Sequence, residues 1–335
     1  MRESRRKFLG RVSRIAAASA AIGAKGLYEA AAAESRPASP SPSTVRPYAG
    51  PIDPADKSRV VLLRSPEAAE EENLLREMVE EAIRILTGAE SSSEGWNKLL
   101  RPDDVIAIKF NRVGATELGV TEQMARQLVR SLSRAGFSPE RIMLIEAPGS
   151  LETQLKTRPF VFGWSGPEVS FGSGQDTLAA WLEEVTAIIN VPFLKTHNIA
   201  GMTGCLKNLS HAVVRSPRRF HANGCAPYVG DIVSLPQIRQ KVRLHLMNAM
   251  RAVFAGGPEV RPEYRWIYAG ILAGKDPVAI DSVGLDILNE QRVRAKLPPI
   301  APDASGIPHI HAAAHTGLGT NDQDYIDLIA PASLF

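Results

Sequence analysis

The sequence predicts an α/β protein in which a mostly parallel sheet is flanked by helices. Three observations carry that expectation. Short apolar, β-prone runs at residues 59–63, 105–110, 141–146 and 187–191 suit strands buried on both faces. Residues 67–86 and 121–135 place their apolar side chains at helical spacing. Strand, helix and strand joined by short links form a right-handed parallel unit. The roughly 275 residues after the amino-terminal region allow one large α/β domain or two α/β lobes with a site between them.

Residues 59–63 (Arg-Val-Val-Leu-Leu) form the first predicted strand, and Leu74, Leu75, Met78, Val79, Ala82, Ile83 and Leu86 mark the buried stripe of the helix after it. The strand at 105–110 ends in a polar turn, Asn111-Arg112-Val113-Gly114, and Thr121 is a candidate N-cap for the next helix. The strand at 141–146 stops at Ala147-Pro148-Gly149. A helix at 178–185 precedes the strand at 187–191, and residues 211–225 are irregular. The apolar stretch 242–253 suits a strand, with helix expected next, and 266–273 is a further strand. It turns through Gly274-Lys275-Asp276-Pro277 into a helix ending near 290, with Asp276 as N-cap and Pro277 in the first turn. Residues 322–329 close the sheet.

Residues 1–33 read as an address. Ser4-Arg5-Arg6-Lys7-Phe8-Leu9 is a twin-arginine pattern, followed by a small-residue apolar run at 15–24 and by Ala31-Ala32-Ala33, which suits cleavage. The run is too short to span a bilayer, which takes roughly 20 apolar residues. The expected location is therefore periplasmic or otherwise exported, with the membrane met only through export, and such export implies a cofactor loaded before translocation. Residues 34–58, rich in Pro and Ser, read as a disordered tether, which leaves 59–330 as the organised domain. Residues 1–33 hold seven basic and two acidic side chains, a net +5 against +3 for the whole chain, so the remainder is near −2. The basic character thus belongs to the signal, and a nucleic-acid partner is not expected.

The chemistry gathers in residues 190–210, where a buried strand runs out into polar groups. Parallel sheets place ligands just beyond the carboxyl ends of their strands. Lys195 and His197 leave the strand, Gly201, Thr203 and Gly204 make a small-residue turn, and Lys207 and Asn208 follow. A glycine turn opening a helix exposes N–H groups that favour anions, and a nearby Lys supplies counter-charge, so a small anionic ligand is the expected partner. His197 is the acid/base candidate, since imidazole titrates near pH 6.5. Arg215, Arg218, Arg219 and His221 form either a solvated face or a lid over the anion. Asp281, one turn beyond Asp276, points toward the site or toward Lys275.

Two cysteines, Cys205 and Cys225, allow a disulfide, two spectator thiols or metal ligation. Without a Cys-x-x-Cys spacing, no iron-sulfur cluster is expected from this chain alone. His309, His311 and His315 are further candidate metal ligands.

Four blocks carry a family resemblance: Val191-Pro192-Phe193-Leu194-Lys195-Thr196-His197, residues 201–209 (Gly-Met-Thr-Gly-Cys-Leu-Lys-Asn-Leu), Arg219-Phe220-His221, and residues 273–281 (Ala-Gly-Lys-Asp-Pro-Val-Ala-Ile-Asp). In this order they resemble domain-of-unknown-function family 362 (DUF362), over about residues 60–330. Some members of that family carry ferredoxin-type modules, which implies a redox partner protein for a chain without one. Locally, His197 and Lys207, ten residues apart around residues 200–204, are similar to the His, Gly-x-Ser-Gly, Lys block of lactate racemase-type nickel-pincer enzymes. That resemblance implies His197 as acid/base, Lys207 as a covalent cofactor anchor and His221 as a nickel ligand. The combined expectation is an exported enzyme, dependent on a metal or metal-containing cofactor, acting on a small anionic substrate. An exported binding protein without chemistry and a partner subunit of an iron-sulfur redox system are the alternatives.

Overall fold

The computed structural model of the chain describes residues 57–69 and 71–331. Residues 1–33, expected to be an export signal, and most of the expected tether lie outside the described residues. The strands are β1 (Ser58–Arg64), β2 (Ile106–Lys109), β3 (Ile142–Ile145), β4 (Glu168–Phe171), β5 (Gly174–Thr177), β6 (Ala187–Asn190), β7 (Phe193–His197), β8 (Gly201–Met202), β9 (Val242–Val253), β10 (Arg265–Gly274) and β11 (Ile326–Ile329). The helices that matter below are α1 (Glu72–Thr87), α2 (Ser92–Leu99), α3 (Thr121–Arg134), α4 (Gly204–Asn208), α5 (Pro277–Arg294) and α6 (Pro308–His315).

One nine-stranded sheet runs through the described residues in the order β11-β1-β10-β9-β6-β2-β3, with β7 paired to β9 and β8 to β7; β4 and β5 form a separate hairpin. Pairings β2–β3, β2–β6, β6–β9, β7–β9 and β1–β11 are parallel, whereas β10 runs antiparallel to β1 and β9. The predicted α/β class and mostly parallel sheet are therefore observed, in one sheet rather than two lobes.

Period-two alternation explains the buried runs. Ile106 and Ile108 of β2, with Ala187 and Ile189 of β6, face a core shared with α1 and α3. Ala107 and Ile188 face the opposite core, which contains Cys205 and Leu206 of α4 and the buried side of α5. A strand covered on both faces has no polar side to show, so it reads as continuously apolar.

The local differences have local causes. The helix expected from 67 begins at Glu72, after a 3-10 turn at Pro66–Ala69. Thr121 is the first helical residue of α3; Val120 precedes it, and no side chain caps that end. The helix at 178–185 shrinks to Trp181–Glu184, and no α-helix follows β9, only a 3-10 turn at Pro262–Tyr264 before β10. Asp276 caps α5 as expected, accepting from Val278 N and Ala279 N at 2.8 and 2.9 Å. Closure of the sheet at 322–329 is also observed, with β11 on the edge beside β1.

Candidate functional site

The residues singled out from sequence gather beyond the carboxyl ends of β2, β3 and β6. Pro192, which has no N–H, breaks the strand between β6 and β7, and both halves stay parallel to the long β9. The Pro192 carbonyl accepts from Asn248 N at 2.8 Å, which carries the pairing across the break. β7 delivers Lys195 and His197, then turns back into β8 with His197 opposite Gly201. Gly201 has φ +78°, and a Cβ there would lie 2.1 Å from the Gly306 carbonyl oxygen. Its role is therefore to let residues 306–307 approach.

Gly204 is held by the next contact. Its φ is +60°, and a Cβ would meet Asp281 Oδ1 at 2.3 Å. The two oxygens of Asp281 accept from Cys205 N at 2.5 Å and Leu206 N at 3.1 Å. The N–H groups expected to receive an anionic ligand are thus occupied by a carboxylate of the protein itself. Gly201 and Gly204 shape the site and leave ligand contact to side chains. Burial raises the Asp281 carboxyl to about 7, against the two N–H bonds that lower it.

Behind α4 a chain of amides links the strand ends. Asn190 Nδ2 bonds His245 Nδ1 and the Cys205 carbonyl, each at 2.9 Å, and Asn190 Oδ1 accepts from Asn208 Nδ2 at 2.8 Å. Asn208 Oδ1 accepts from Asn111 Nδ2 at 3.0 Å and Lys109 Nζ at 3.3 Å. Lys109 Nζ completes its set with the Phe110 carbonyl at 2.9 Å and Glu146 Oε2 at 2.7 Å. Glu146, the first residue after β3, holds that ion pair at φ +59°, a conformation that costs a non-glycine residue energy and recurs at functional sites. Lys195 Nζ donates to Asn111 Oδ1, the Val113 carbonyl and the Pro258 carbonyl at 3.3, 2.6 and 3.2 Å. Burial and the neighbouring Lys207 lower Lys195 to about 7. Three oxygen acceptors around one amine nevertheless favour the ammonium, all of whose protons are used. Lys109 and Lys195 therefore pin the strand-end loops, and Lys195, expected to contact a cofactor, has no proton left to offer.

Lys207 differs. It is buried, and among the described residues its one hydrogen-bond partner is His221 Nε2 at 3.0 Å, with no carboxylate in ion-pair reach. Burial lowers its pKa. His221 Nδ1 lies 3.3 Å from the Arg218 carbonyl, which fixes the tautomer: Nδ1–H donates to Arg218, and the Nε2 lone pair accepts from Lys207. Both nitrogens are thereby committed, so the metal-ligand role expected of His221 has no free lone pair. Burial and the Lys207 charge lower the His221 pKa.

His197 stacks on His221 at 5.6 Å between ring centroids. Its Nδ1 faces two donors, Ile199 N at 3.2 Å and Ala200 N at 3.3 Å. The proton therefore sits on Nε2, and among the described residues Nε2–H has no partner. Turning the ring over would set a C–H against both N–H groups. Burial, Lys207 and His221 push the His197 pKa down to about 2. The ring's one lone pair, on Nδ1, already faces two backbone N–H groups, so the geometry favours a neutral hydrogen-bond donor over the acid/base role expected of His197. His245 and His309 are also buried, and burial holds each near 3. The unfolded chain takes up protons at these rings below about pH 6.5 while the folded protein does not, so they withdraw stability as pH falls below that point. In a pH series of imidazole NMR spectra, the His197 signals stay constant from pH 4 to 8; a midpoint inside that range would contradict the assigned tautomer.

Asn208 is thus built into the amide chain. Thr203 lies in the turn, its N–H bonded to the Lys195 carbonyl at 3.0 Å and its buried hydroxyl without a hydrogen-bond partner among the described residues. Arg215, Arg218 and Arg219 are exposed, and Arg219 is drawn to the β4–β5 hairpin by Asp176 Oδ2 at 3.0 Å and the Gln175 carbonyl at 2.8 Å. The cover over Lys207 is therefore His221 rather than the arginines. Cys205 and Cys225 are buried free thiols. His311 and His315 pair with each other at 4.3 Å between centroids on the solvent side of α6. His309 instead is fully buried, near enough for the Lys207 charge to act on it, with neither ring nitrogen hydrogen-bonded among the described residues. No group of three His, Cys, Asp or Glu among the described residues is placed to hold a metal ion.

Asn190, His245 and Glu146 were not singled out from sequence as site residues, and His309 was named only as a candidate metal ligand beside His311 and His315. Asn190 and Glu146 carried a signal, each being the polar residue that ends an apolar run. His245 carried none, and nothing in the sequence placed His309 apart from His311 and His315, since only the fold brings β9 and α6 to α4.

No curated protein matches the chain. One family does, described as a domain of unknown function, and the match stops short of Lys109, Asn111, Glu146 and His309 while including α4, His221, His245 and Asp281. Residues 164–286 match the family model described as a domain of unknown function, DUF362.

Proposed function

We propose that this centre binds a small anion, carboxylate or phosphate in kind, between Lys207 and His197, and that the Lys207–His221 pair transfers a proton to or from it. The protein would then be an enzyme acting on a small anionic substrate. The carrying observation is the uncompensated charge of Lys207: a buried ammonium with one neutral partner and no carboxylate is stabilised by an anion arriving from outside. His197 Nε2–H, one stacking distance away, supplies a neutral donor to the same ligand.

The chemistry follows from the proton inventory. Lys207 and His221 share one hydrogen bond, and burial lowers the pKa of both. In its neutral form the pair can take a proton from a bound substrate onto Nζ or Nε2 and return it to the substrate, so that no proton is gained or lost over the cycle. The residues present do not fit a resident metal, because His221 is committed on both sides. Export, supported by the Arg5-Arg6 pattern, and a redox partner protein belong to the same proposal.

Binding without chemistry is the second reading, favoured by the fixed His197 tautomer and by Lys109 and Lys195 being saturated. Deuterium incorporation from heavy water into a panel of small 2-hydroxy, 2-oxo and amino carboxylates, followed by NMR, separates the two. Proton transfer predicts exchange in at least one of them, slowed by about 100-fold or more in His221→Gln, with oxalate affinity kept within a few-fold. Oxalate binding with no exchange in any carboxylate would leave the binding protein.

A further inference from the structure

A groove of about 620 Å³ opens on the face of the sheet opposite α4, between α1, α3 and the short helix Ser150–Leu155. Among the described residues its lining holds Arg76, Arg126, Arg130, Arg134 and Lys156 and no acidic residue. Arg126, Arg130 and Arg134 recur every four residues, which puts them on one face of α3 over about 12 Å of helix. Arg76 faces them from α1, and Lys156, at φ +55°, caps the short helix on the rim.

Arg76, Arg126 and Arg134 meet carboxylates of the described residues only at the long end of ion-pair distance. Arg76 lies 3.5 Å from Glu77 and 3.7 Å from Glu80, Arg126 lies 3.6 Å from Glu122, and Arg134 lies 4.0 Å from Glu80. Elsewhere on the surface Arg84–Glu81 and Arg158–Glu184 close to 2.6 Å. The groove arginines are oriented instead by neutral amides, Arg126 by Gln154 Oε1 at 2.6 Å and Arg76 by Asn73 Oδ1 at 2.9 Å. Among the described residues the buried Arg76 Nε has no hydrogen-bond partner, its nearest carboxylate oxygen being Glu80 Oε1 at 3.7 Å. Guanidinium groups held in place by amides, around a concavity of small-ligand size, are arranged for bidentate contact with a multiply charged anion.

We infer that this groove is a second binding site, for a small ligand bearing two or more phosphate-type charges, independent of the centre around Lys207. Convergence from three elements on one concavity favours a compact polyanion over an extended acidic chain, which would call for a line of cations. The test is calorimetric titration of the protein with inorganic tripolyphosphate at about 50 mM salt, where charge screening is weak. In Lys207→Met, which removes the anion contact of the other centre, one site is expected, weakened ten-fold or more when Arg126→Gln and Arg134→Gln are added and weakened likewise by added salt. No binding by Lys207→Met, or equal affinity once the two arginines are replaced, overturns the site. Tighter binding of oligoglutamate, with tripolyphosphate unable to displace it, overturns the small-ligand assignment in favour of an acidic protein partner.

Discussion

Asp281→Ala lowers the stability of the protein by about 3–5 kcal/mol, the largest effect expected of any single side chain in the site. Asp281 is fully buried and accepts from two backbone N–H groups that have no other partner within a helix as short as α4. Alanine leaves both donors unpaired at about 1–3 kcal/mol each and opens a cavity between α4 and α5. Asp281→Asn is milder, because one amide oxygen still accepts while its NH2 confronts the other donor. Urea denaturation measures both. A loss below about 1 kcal/mol in the alanine variant would mean that α4 does not depend on this cap.

Lys207→Met has the opposite signature. The folded protein keeps or gains stability, by up to about 1–3 kcal/mol, because a buried ammonium without a counter-charge is replaced by an apolar chain of similar length. Affinity for small carboxylates falls by about 100-fold or more, since one charge-assisted hydrogen bond in a desolvated site is worth about 3 kcal/mol. Thermal denaturation beside titration with oxalate reads both quantities. Lost stability with unchanged affinity would make Lys207 a structural residue.

These opposite signs show where sequence was sufficient and where it was not. The sheet was legible because strands buried on both faces leave unbroken apolar runs, and residues 105–110 and 187–191 have that form. The place where polar side chains gather was legible because Lys109, Asn190, Lys195 and His197 interrupt or follow such runs at their carboxyl ends. Roles were not, because they are set by partners distant in sequence. Lys195 and Lys207 look alike in the chain; three oxygens around one and an imidazole beside the other make the first a fastener and the second a candidate ligand contact. The turn at 200–204 resembles an anion cradle until Asp281, 76 residues beyond Cys205, is found in it. His309 shows the same limit, since only the packing of α6 against the segment that carries His221 brings it toward Lys207.

The central claim is that an anion sits between Lys207 and His197. A crystal of the wild-type protein soaked in selenate locates that anion by the anomalous signal of selenium. The uncompensated Lys207 ammonium predicts a peak whose oxygens come within about 3 Å of Lys207 Nζ and His197 Nε2. Selenate found only in the arginine groove or on the surface, with the contacts of Lys207 unchanged, would contradict it.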